Sequence, residues 1–522
     1  MYSNKENVNI LTSLLVKHGV RHAVVCPGSR NAAIVHNLNE CPDITCYPVT
    51  DERSAGFYAL GMTQALGEPV VVCVTSGTAL LNLYPAVAEA YYQHRPLVVI
   101  SADRPPQWID QLDGQTLPQP DALGRFVRKA VSLPEPHDEE SHWYCNRQVN
   151  EALLEKHAPV HINVPITEPL FDFSVAALPD ERKIERIEAD ATNRTLSHVC
   201  RMFLHAQRPM LIAGQPMNRN LDEAVKLVEN DESYLPDFVL YCGDSIVSKR
   251  VKHYLRRAKE TWAVNRTGEV NDTFMNLTQV IQGDAEVVAD LIRFNLEEQP
   301  HPFVQKWEAV LQRVAQQAEA YKPDYSQMAA VKYFEQQLTS LYPSPSSFPA
   351  VHYANSTAIR LANIFAAHPV YCNRGVNGIE GSLSTAAGFS LVASHLPKVF
   401  CVIGDLSFFY DQNALWNQNL SGRRLRVLLL NNGKGGIFNM LKGLEASPAR
   451  DRFVSAEHHT TAEGICQQND IYYQRATSME EMRQGIDLLI SNDFSRPMVL
   501  EVMTDASEDE RVYKDYIKTI FK

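Results

Sequence analysis

Short apolar runs alternate with longer helical patterns through most of the chain. In the first third the runs cover residues 23–26, 69–74 and 96–101. They lack a strict alternation of apolar and polar residues, so they predict parallel strands that helices cover on both faces. Each run ends in a polar or glycine-containing turn, PGSRN, TSGTA or SADRPP. Ligands of open α/β sheets collect at such carboxyl ends.

The same pattern returns twice. A charged stretch, LPDERKIERIEAD, begins at residue 178 and predicts a linker. Beyond it we predict strands at 209–214, 237–243, 261–265, 370–372, 398–405, 426–432 and 498–503, and a helix from 303 to about 321. YPSPSS (342–347) is interpreted as a loop inside the last unit. The chain is therefore predicted to be an α/β protein of three domains, 1–178, 192–322 and 326–522, with two similar parallel-sheet domains flanking a central α/β domain.

Composition narrows the classes of partner. The 522 residues carry a net charge of −12, which argues against binding nucleic acid or an anionic membrane through bulk electrostatics. An anionic substrate would have to be bound by a few placed arginines. No stretch approaches the ~18 apolar residues that span a bilayer. The N-terminus predicts an amphipathic helix of the mature protein, and the ten scattered cysteines predict reduced thiols, so we expect a cytoplasmic protein.

Two oxygen-bearing side chains follow neighbouring apolar runs. Asp405 opens a GDLS turn, and Asn432 ends the next run 27 residues later. That separation accommodates one helix and one strand, so the two side chains are expected at adjacent strand ends. A carboxylate and an amide oxygen suit a small hard cation such as Mg²⁺, which can in turn bind a diphosphate. The alternative is that both segments are ordinary turns, since Gly, Asp and Asn favour turns.

An acidic residue opens the helix predicted after residue 50. Asp51 is a natural N-cap, which places Glu52 in the first helical turn, where the helix dipole stabilises a carboxylate. Capping alone would explain both residues. The functional alternative is that Glu52 is a partly buried acid that shares a proton with a ring nitrogen of a bound cofactor.

Arginines and small residues occupy several turns. Arginine is the side chain for bidentate carboxylate recognition, and four of them predict a substrate with several carboxylates, although any one could be structural: Arg30, Arg104, Arg360 and Arg374. GSLSTAAG (381–388) could bring a helix N-terminus close to a diphosphate, or could serve tight helix packing. TSGTA (75–79) offers a strand-to-helix turn whose backbone amides could face a ligand.

Together these motifs resemble the thiamine-diphosphate decarboxylase superfamily, and within it the 2-succinyl-5-enolpyruvyl-6-hydroxy-3-cyclohexene-1-carboxylate synthase family of menaquinone biosynthesis. The segments that carry the resemblance are CPGSRN (26–31), DERSAGFYALG (51–61), TSGTALLNLYPAVAEA (75–90), ADRPP (102–106), NRGVNGIEGSLSTAAG (373–388), GDLSFFYDQNAL (404–415) and NNGKGGIF (431–438). It implies a pyrimidine-binding first domain, a central domain without cofactor and a diphosphate-binding last domain. The cofactor would lie between subunits of a homodimer or homotetramer.

The resemblance also implies roles for individual residues. Glu52 would activate the aminopyrimidine, and Asp405, Asn432 and the carbonyl of Lys434 would bind Mg²⁺ or Mn²⁺. Ile379 would bend the cofactor. Further cofactor contacts are implied for Thr75, Gly77, Ser384, Gly404, Leu406, Ser407, Asn432, Gly436 and Ile437. Substrate contacts are implied for Ser29, Arg30, Arg104, Ser356, Arg360, Arg374 and Phe438, with Arg30, Gln115 and Arg374 also in catalysis.

The implied reaction is decarboxylation of 2-oxoglutarate on thiamine diphosphate, followed by addition of the succinyl carbanion equivalent to isochorismate. Both substrates are dicarboxylates, which agrees with the arginines. The chain departs from the family at Asn31 and Asn377, and the family's basic pair in the central domain has only a weak candidate, Arg266. The alternatives are another 2-oxo acid decarboxylase or carboligase of this superfamily, such as an acetolactate synthase, or a catalytically silent cofactor-binding protein.

Overall fold

The structure is a computed structural model that describes residues 1–186, 193–214, 219–243, 245–298, 300–420, 425–440 and 443–520. It contains three parallel sheets flanked by helices, as an α/β fold requires. Among the described residues, no helix is both long and apolar enough to cross a bilayer.

The first sheet has six parallel strands in the order β2-β1-β3-β4-β6-β5. Its strands are β1 (His22–Val25), β2 (Thr45–Pro48), β3 (Val70–Val74), β4 (Leu97–Asp103), β5 (Lys129–Ser132) and β6 (Val160–Pro165). The helices around it are α1 (Glu6–Lys17), α2 (Ala32–Glu40), α3 (Glu52–Leu66), α4 (Thr78–Asn82), α5 (Tyr84–Tyr92) and α6 (Glu139–Leu153). The three predicted strands are confirmed as β1, β3 and β4. β3 and β4 are buried throughout, as their apolar runs predict.

The central sheet has four parallel strands in the order β10-β9-β8-β7. Its elements are α7 (Asn193–His205), β7 (Pro209–Ala213), α8 (Leu221–Val228), β8 (Phe238–Cys242), α9 (Lys249–Leu255), β9 (Glu260–Asn265), β10 (Leu277–Gln282), α10 (Ala285–Glu298) and α11 (Pro302–Ala320). Three of the four strands and α11 confirm the prediction. The fourth, β10, is half-exposed and polar, so it lacks the apolar run that marks the others.

The last sheet has five parallel strands in the order β11-β12-β13-β15-β14. Its strands are β11 (Ala350–Tyr353), β12 (Val399–Gly404), β13 (Leu425–Asn431), β14 (Tyr472–Ala476) and β15 (Met498–Met503). Its helices are α12 (Gln327–Leu341), α13 (Thr357–Phe365), α14 (Ser382–Val392), α15 (Asp405–Tyr410), α16 (Glu463–Gln468), α17 (Met479–Ser491) and α18 (Ala506–Ile520). YPSPSS is a loop with one 3₁₀ turn, Pro345–Ser347.

Two local predictions in this last region are wrong. Residues 370–372 do not form a strand: Tyr371 makes a single bridge to His352 of β11, which is the actual edge strand. The helix predicted after Asp405 ends at Tyr410 and continues as two 3₁₀ turns, Gln412–Ala414 and Gln418–Leu420. Asp411 follows the last residue of α15. Its buried carboxylate accepts hydrogen bonds from the backbone N–H and the hydroxyl of Ser384.

The predicted linker is irregular where it is described, and its last residues, 187–190, lie outside the described residues. Its first part is packed against α6, because the buried Glu181 accepts a hydrogen bond from Asn146 at 2.7 Å. One core cluster also joins the central region to the last, through residues such as Trp307 and Phe334. The domain boundaries at 178, 192, 322 and 326 therefore stay a prediction.

Helices α3 and α14 cross in direct backbone contact. A β-carbon built on Gly61 would lie 2.0 Å from the Thr385 carbonyl oxygen, and one on Gly388 would lie 2.1 Å from the Tyr58 carbonyl oxygen. No larger residue fits at either position without a shift. The small residues of 381–388 thus serve tight helix packing, and this contact joins the first region of the chain to the last.

Candidate functional site

Asp405 and Asn432 meet at adjacent strand ends, as their spacing predicts. Gly404 of β12 pairs in register with Leu430 of β13, which brings the two turns side by side. The buried Asp405 carboxylate accepts three backbone N–H groups: from Leu406 at 2.7 Å on Oδ1, and from Asn432 at 3.1 Å and Gly433 at 2.9 Å on Oδ2. The carboxylate is therefore held in one orientation.

The donor set beside Asp405 fits a hard divalent cation. The Asn432 amide donates from Nδ2 to Asp509, which leaves its oxygen free to bind a cation. A β-carbon on Gly404 would have no atom within 4 Å, so open space remains beside Asp405. Carboxylate and amide oxygens are the ligands that Mg²⁺ and Mn²⁺ take in proteins. The side chain of Lys434 is 3.3 Å from Asp451, and a cation contact from its carbonyl stays a prediction.

A histidine that the sequence did not single out adjoins this site. Nε2 of His458 lies 3.5 Å from Oδ2 of Asp405. Nδ1 of the same ring accepts the backbone N–H of Thr460 at 3.1 Å, which assigns the ring proton to Nε2. His458 thus presents an N–H toward the carboxylate. His458 is far from Asp405 in sequence, so no local sequence pattern indicates that the two residues meet.

Glu52 begins α3, and its neighbours reach the segment that follows Asp405. Asp51 is the N-cap, accepting the Ser54 N–H at 3.0 Å, and its other oxygen accepts from Asn413 at 2.5 Å. Arg53 donates to the Tyr410 carbonyl at 2.8 Å. Capping thus accounts for Asp51 but not for Glu52, whose half-buried carboxylate is 3.4 Å from the Asn82 amide.

The turns after β1, β3 and β4 lie against one another. A β-carbon on Gly28 would meet Thr75 at 2.3 Å, and one on Gly77 would meet the Gln115 backbone at 3.3 Å. The Gly77 N–H is donated to the buried Gln119 side chain at 2.7 Å. The predicted residues Thr75, Gly77 and Gln115 are therefore together, while the Gly77 amide proton is already committed to Gln119.

The four arginines form two pairs. Burial lowers the pKa of Arg30, and the like charge of Arg104 lowers it further. Burial likewise lowers the pKa of Arg374, and the positive charge of Arg360 lowers it further. Within the first pair, Arg30 donates to the Ile166 carbonyl at 2.9 Å and Arg104 lies 3.1 Å from Asp113. Arg30 also lies 3.5 Å from Glu168, so the charges of the first pair are partly balanced by carboxylates, and their guanidinium groups remain candidates for an anionic ligand.

The loop that carries Arg374 is anchored from three sides. Asn355 accepts from Arg374 at 3.0 Å and donates to the carbonyls of Asn373 and Gly378, both at 2.7 Å. Ser245 of the central region donates to the Arg374 carbonyl at 3.0 Å. Glu89 of α5 accepts the N–H groups of the two residues after Arg374. These contacts fix the guanidinium and the turn that leads to Ile379.

The remaining predicted residues differ in accessibility. Ile379 is 42% exposed, so its apolar side chain is accessible to a ligand or a second subunit. Ser356 has φ of 73°, a left-handed conformation that costs a non-glycine residue energy and is often found at functional sites. Ser384 is fully buried, and its hydroxyl donates to Asp411.

Among the other predicted contacts, Ser29 is exposed and Ser407 is buried. Four more are half-buried: Leu406, Gly436, Ile437 and Phe438. Arg266 is exposed and pairs with Asp284 at 2.7 Å. The functional roles of all these residues stay predictions.

Comparison with known proteins identifies the relatives of this chain. Residues 6–123 match the family model described as thiamine pyrophosphate enzyme, N-terminal TPP binding domain. A 2-succinyl-5-enolpyruvyl-6-hydroxy-3-cyclohexene-1-carboxylate synthase of Bacteroides fragilis is 44% identical over 99% of both chains. The protein of the same name from Phocaeicola vulgatus is 42% identical over 99% of this chain and 98% of its own.

A solved structure has the same fold. A putative thiamin diphosphate-dependent enzyme from Mycobacterium smegmatis superposes with a TM-score of 0.69 over 96% of this chain and 99% of its own, at 16% identity. At that identity the likeness concerns the fold alone. The α/β architecture predicted from the alternating strands and helices is thereby confirmed.

Proposed function

The chain belongs to the 2-succinyl-5-enolpyruvyl-6-hydroxy-3-cyclohexene-1-carboxylate synthase family, and from this premise we propose that it decarboxylates 2-oxoglutarate with thiamine diphosphate and adds the remaining four-carbon unit to isochorismate. The relatives favour this reaction over that of an acetolactate synthase or a silent binding protein. The observation that carries the proposal is the position of Asp405 and Asn432 at neighbouring strand ends, where the backbone N–H of Asn432 donates to the Asp405 carboxylate.

In this proposal the last region holds the cofactor by its diphosphate. Asp405, Asn432 and the Lys434 carbonyl bind Mg²⁺ or Mn²⁺, which neutralises the diphosphate. When bound, thiamine diphosphate supplies a nucleophilic carbon and an electron sink for loss of carbon dioxide. The three N–H groups on Asp405 keep its carboxylate in place. A carboxylate has about four acceptor sites, so Oδ1, which accepts one N–H, retains a lone pair for the cation.

Glu52 and Ile379 act on the other end of the cofactor. The Glu52 carboxylate would share a proton with a ring nitrogen of the aminopyrimidine, the role of a positioned acid–base group. The exposed side chain of Ile379 supplies an apolar surface against which the cofactor bends. In the described chain the Glu52 carboxylate has one long hydrogen bond, to Asn82, and the Ile379 side chain is partly exposed. Both side chains can therefore still contact a ligand.

The arginine pairs bind the carboxylates of the two substrates. 2-Oxoglutarate and isochorismate are both dicarboxylates, and planar guanidinium groups bind carboxylates in a bidentate manner. Arg30 and Arg104, with Ser29 and Gln115, provide one cationic patch. Arg360 and Arg374, with Ser356 and Phe438, provide the other.

A second copy of the chain completes the site in this proposal. Large apolar side chains between 37% and 51% exposed occur on the segments that carry or adjoin the predicted cofactor residues: Leu81, Tyr84, Tyr92, Val376, Ile379, Tyr410 and Trp416. Such side chains are available to be covered by a second subunit, and apolar patches on a soluble protein mark interfaces. We therefore include a homodimer or homotetramer, with the cofactor at the subunit interface, and a cytoplasmic location in the proposal.

Two experiments test these statements. Mass spectrometry of the product formed from 2-oxoglutarate and isochorismate should give the adduct that retains the isochorismate ring, and no product from two molecules of pyruvate. Mixing inactive Glu52→Gln subunits with inactive Asp405→Asn subunits should restore part of the activity if each site takes Glu52 from one subunit and Asp405 from another. Failure of the mixture to gain activity, with subunit exchange confirmed by native mass spectrometry, would contradict the shared site.

A further inference from the structure

We propose that Asp509 is a positioning residue of the cation site, which fixes the amide of Asn432 so that its oxygen faces the cation. The inference deepens the proposed function and rests on it. Asp509 lies in the first turn of α18, the helix that follows β15 at the C-terminal end of the described chain. Thr504, between β15 and α18, donates its backbone N–H to the Asn431 carbonyl at 2.9 Å, which ties this helix start to the Asn431–Asn432 turn.

Both oxygens of Asp509 accept hydrogen bonds from fixed donors. Oδ1 accepts the backbone N–H of Gln327 at 2.8 Å. Oδ2 accepts from the Asn432 amide at 2.9 Å and from the Thr504 hydroxyl at 2.8 Å. An ionised carboxylate can only accept, so the amide group opposite it must present its nitrogen.

This constraint decides what Asn432 offers to a ligand. An asparagine amide has a donor end and an acceptor end that are nearly equal in shape. With the nitrogen on Asp509, the oxygen lies at the other end, and only the oxygen can bind a cation. In the reversed orientation the amide N–H groups would face the cation and repel it. Asp509 therefore selects the productive orientation of a side chain that could otherwise turn over.

The same helix forms one wall of the space beside Asn432. A cavity of about 30 Å³ is lined by residues of α13, α18 and the turn after β13, among them Arg360, Asn432, Asp509 and Tyr513. Asp509 thus lies between the turn that holds the cation and the helix that carries a predicted substrate arginine. The helix α18 is then a component of the proposed cation site.

The isosteric change Asp509→Asn tests the inference. The backbone N–H of Gln327 cannot change its direction, so it continues to donate to the one oxygen that remains on residue 509. The new amide nitrogen of residue 509 therefore faces Asn432, and the Asn432 amide must reverse to accept from it. We expect the half-saturating concentration of Mn²⁺, measured from the free-ion EPR signal with thiamine diphosphate present, to rise roughly 10- to 100-fold, as for other partners of metal ligands. The number of Mn²⁺ ions bound at saturation should not change.

Two further variants make the result specific. Thr504→Val removes the other donor to the same Asp509 oxygen but leaves the Asn432 contact, so its Mn²⁺ affinity should stay within about twofold of the parent. Asn432→Ala should weaken Mn²⁺ binding directly.

If Asn432→Ala weakens binding and Asp509→Asn does not, the positioning role is wrong and the cation site stands. If Asp509→Asn lowers the number of ions bound, its role is structural, which also overturns the inference. If Asn432→Ala leaves Mn²⁺ binding unchanged, the proposed cation site itself is wrong.

Discussion

The carboxylate of Glu89 accepts the backbone N–H of Val376 at 2.7 Å, across 287 residues of sequence. Its second oxygen accepts the N–H of Gly375, also at 2.7 Å. A buried residue of the first sheet's helical layer thus holds the turn between Arg374 and Ile379. Through this contact the first region of the chain helps to fix the turn that carries Arg374 and Ile379, two residues to which the proposal assigns ligand contacts.

Replacing Glu89 with glutamine should loosen that turn. The glutamine oxygen can still accept one of the two backbone N–H groups, but the glutamine NH₂ then faces the other N–H. One hydrogen bond is lost and a buried donor is left without an acceptor, which costs about 1–3 kcal/mol. We expect KM for 2-oxoglutarate to rise by up to about tenfold because Arg374 is held less firmly, by Asn355 and Ser245 alone on that loop, with a smaller effect on kcat. Steady-state kinetics check this, and Glu68→Gln, an exposed change in the same region, should have no effect. An unchanged KM would show that the clamp does not govern substrate binding.

Glu52→Gln should nearly abolish turnover while the fold stays intact. Glutamine keeps the size of the side chain but cannot share a proton with the cofactor, and loss of such a group lowers rates about 10²- to 10⁴-fold. The rate of carbon dioxide release from 2-oxoglutarate measures the effect. Thermal unfolding should match that of the parent protein, because the cap of α3 is Asp51. Activity similar to that of the parent would refute the role assigned to Glu52.

Gly388→Ala should destabilise the protein. The added methyl would meet the Tyr58 carbonyl at 2.1 Å, so α3 and α14 must move apart. Overpacking of this kind costs about 1–3 kcal/mol. Urea unfolding followed by circular dichroism measures the loss of unfolding free energy. Gly464→Ala is the matched control, because a β-carbon there meets nothing within 4 Å in α16, and it should be neutral or slightly stabilising.

Asp411 should make stability depend on pH in an unusual direction. Burial raises the pKa of its carboxyl to about 6, above the 3.8 of an unperturbed aspartate. The folded state therefore binds a proton more readily than the unfolded state, so this group's contribution to stability rises as pH falls through 6 toward 4. The full difference is on the order of 3 kcal/mol.

The contribution is isolated by comparison with Asp411→Asn. The substituted amide does not titrate, so the difference in unfolding free energy between the two proteins should shift by up to that amount between pH 7.5 and pH 4.5. Urea titrations at four pH values across this interval provide the measurement. A constant difference between the two proteins would mean that Asp411 does not titrate in this range.

The parts of the fold and site that the sequence predicted are those with local signals. Buried strands such as β3 and β12 are continuous apolar runs, and Asp405 and Asn432 each follow one directly, so topology alone places them together. The strand prediction at residues 370–372 fails because Tyr371 makes only an isolated bridge to His352, and residues 350–353 form the strand at this edge of the sheet. Three-residue runs carry too little pattern to decide between the two.

The supporting contacts had no local signal. Glu89, Asn355 and Asp509 act on residues 18 to 287 positions away, and each occupies a segment whose own pattern is explained by its helix or turn. His458 likewise reaches Asp405 only through the folded chain. Sequence patterns therefore predict the groups that follow strands, while the partners that orient those groups depend on tertiary packing.

The in-register pairing of β12 with β13 makes the cation site a property of two apolar strands. A slip of one residue between them would move Asn432 by about 3.3 Å along the sheet relative to Asp405 and turn alternate side chains to the opposite face. No cation could then touch both oxygens. Interior residues such as Val402 and Leu428, which are partners in that register, therefore keep the two oxygens of the proposed cation site side by side.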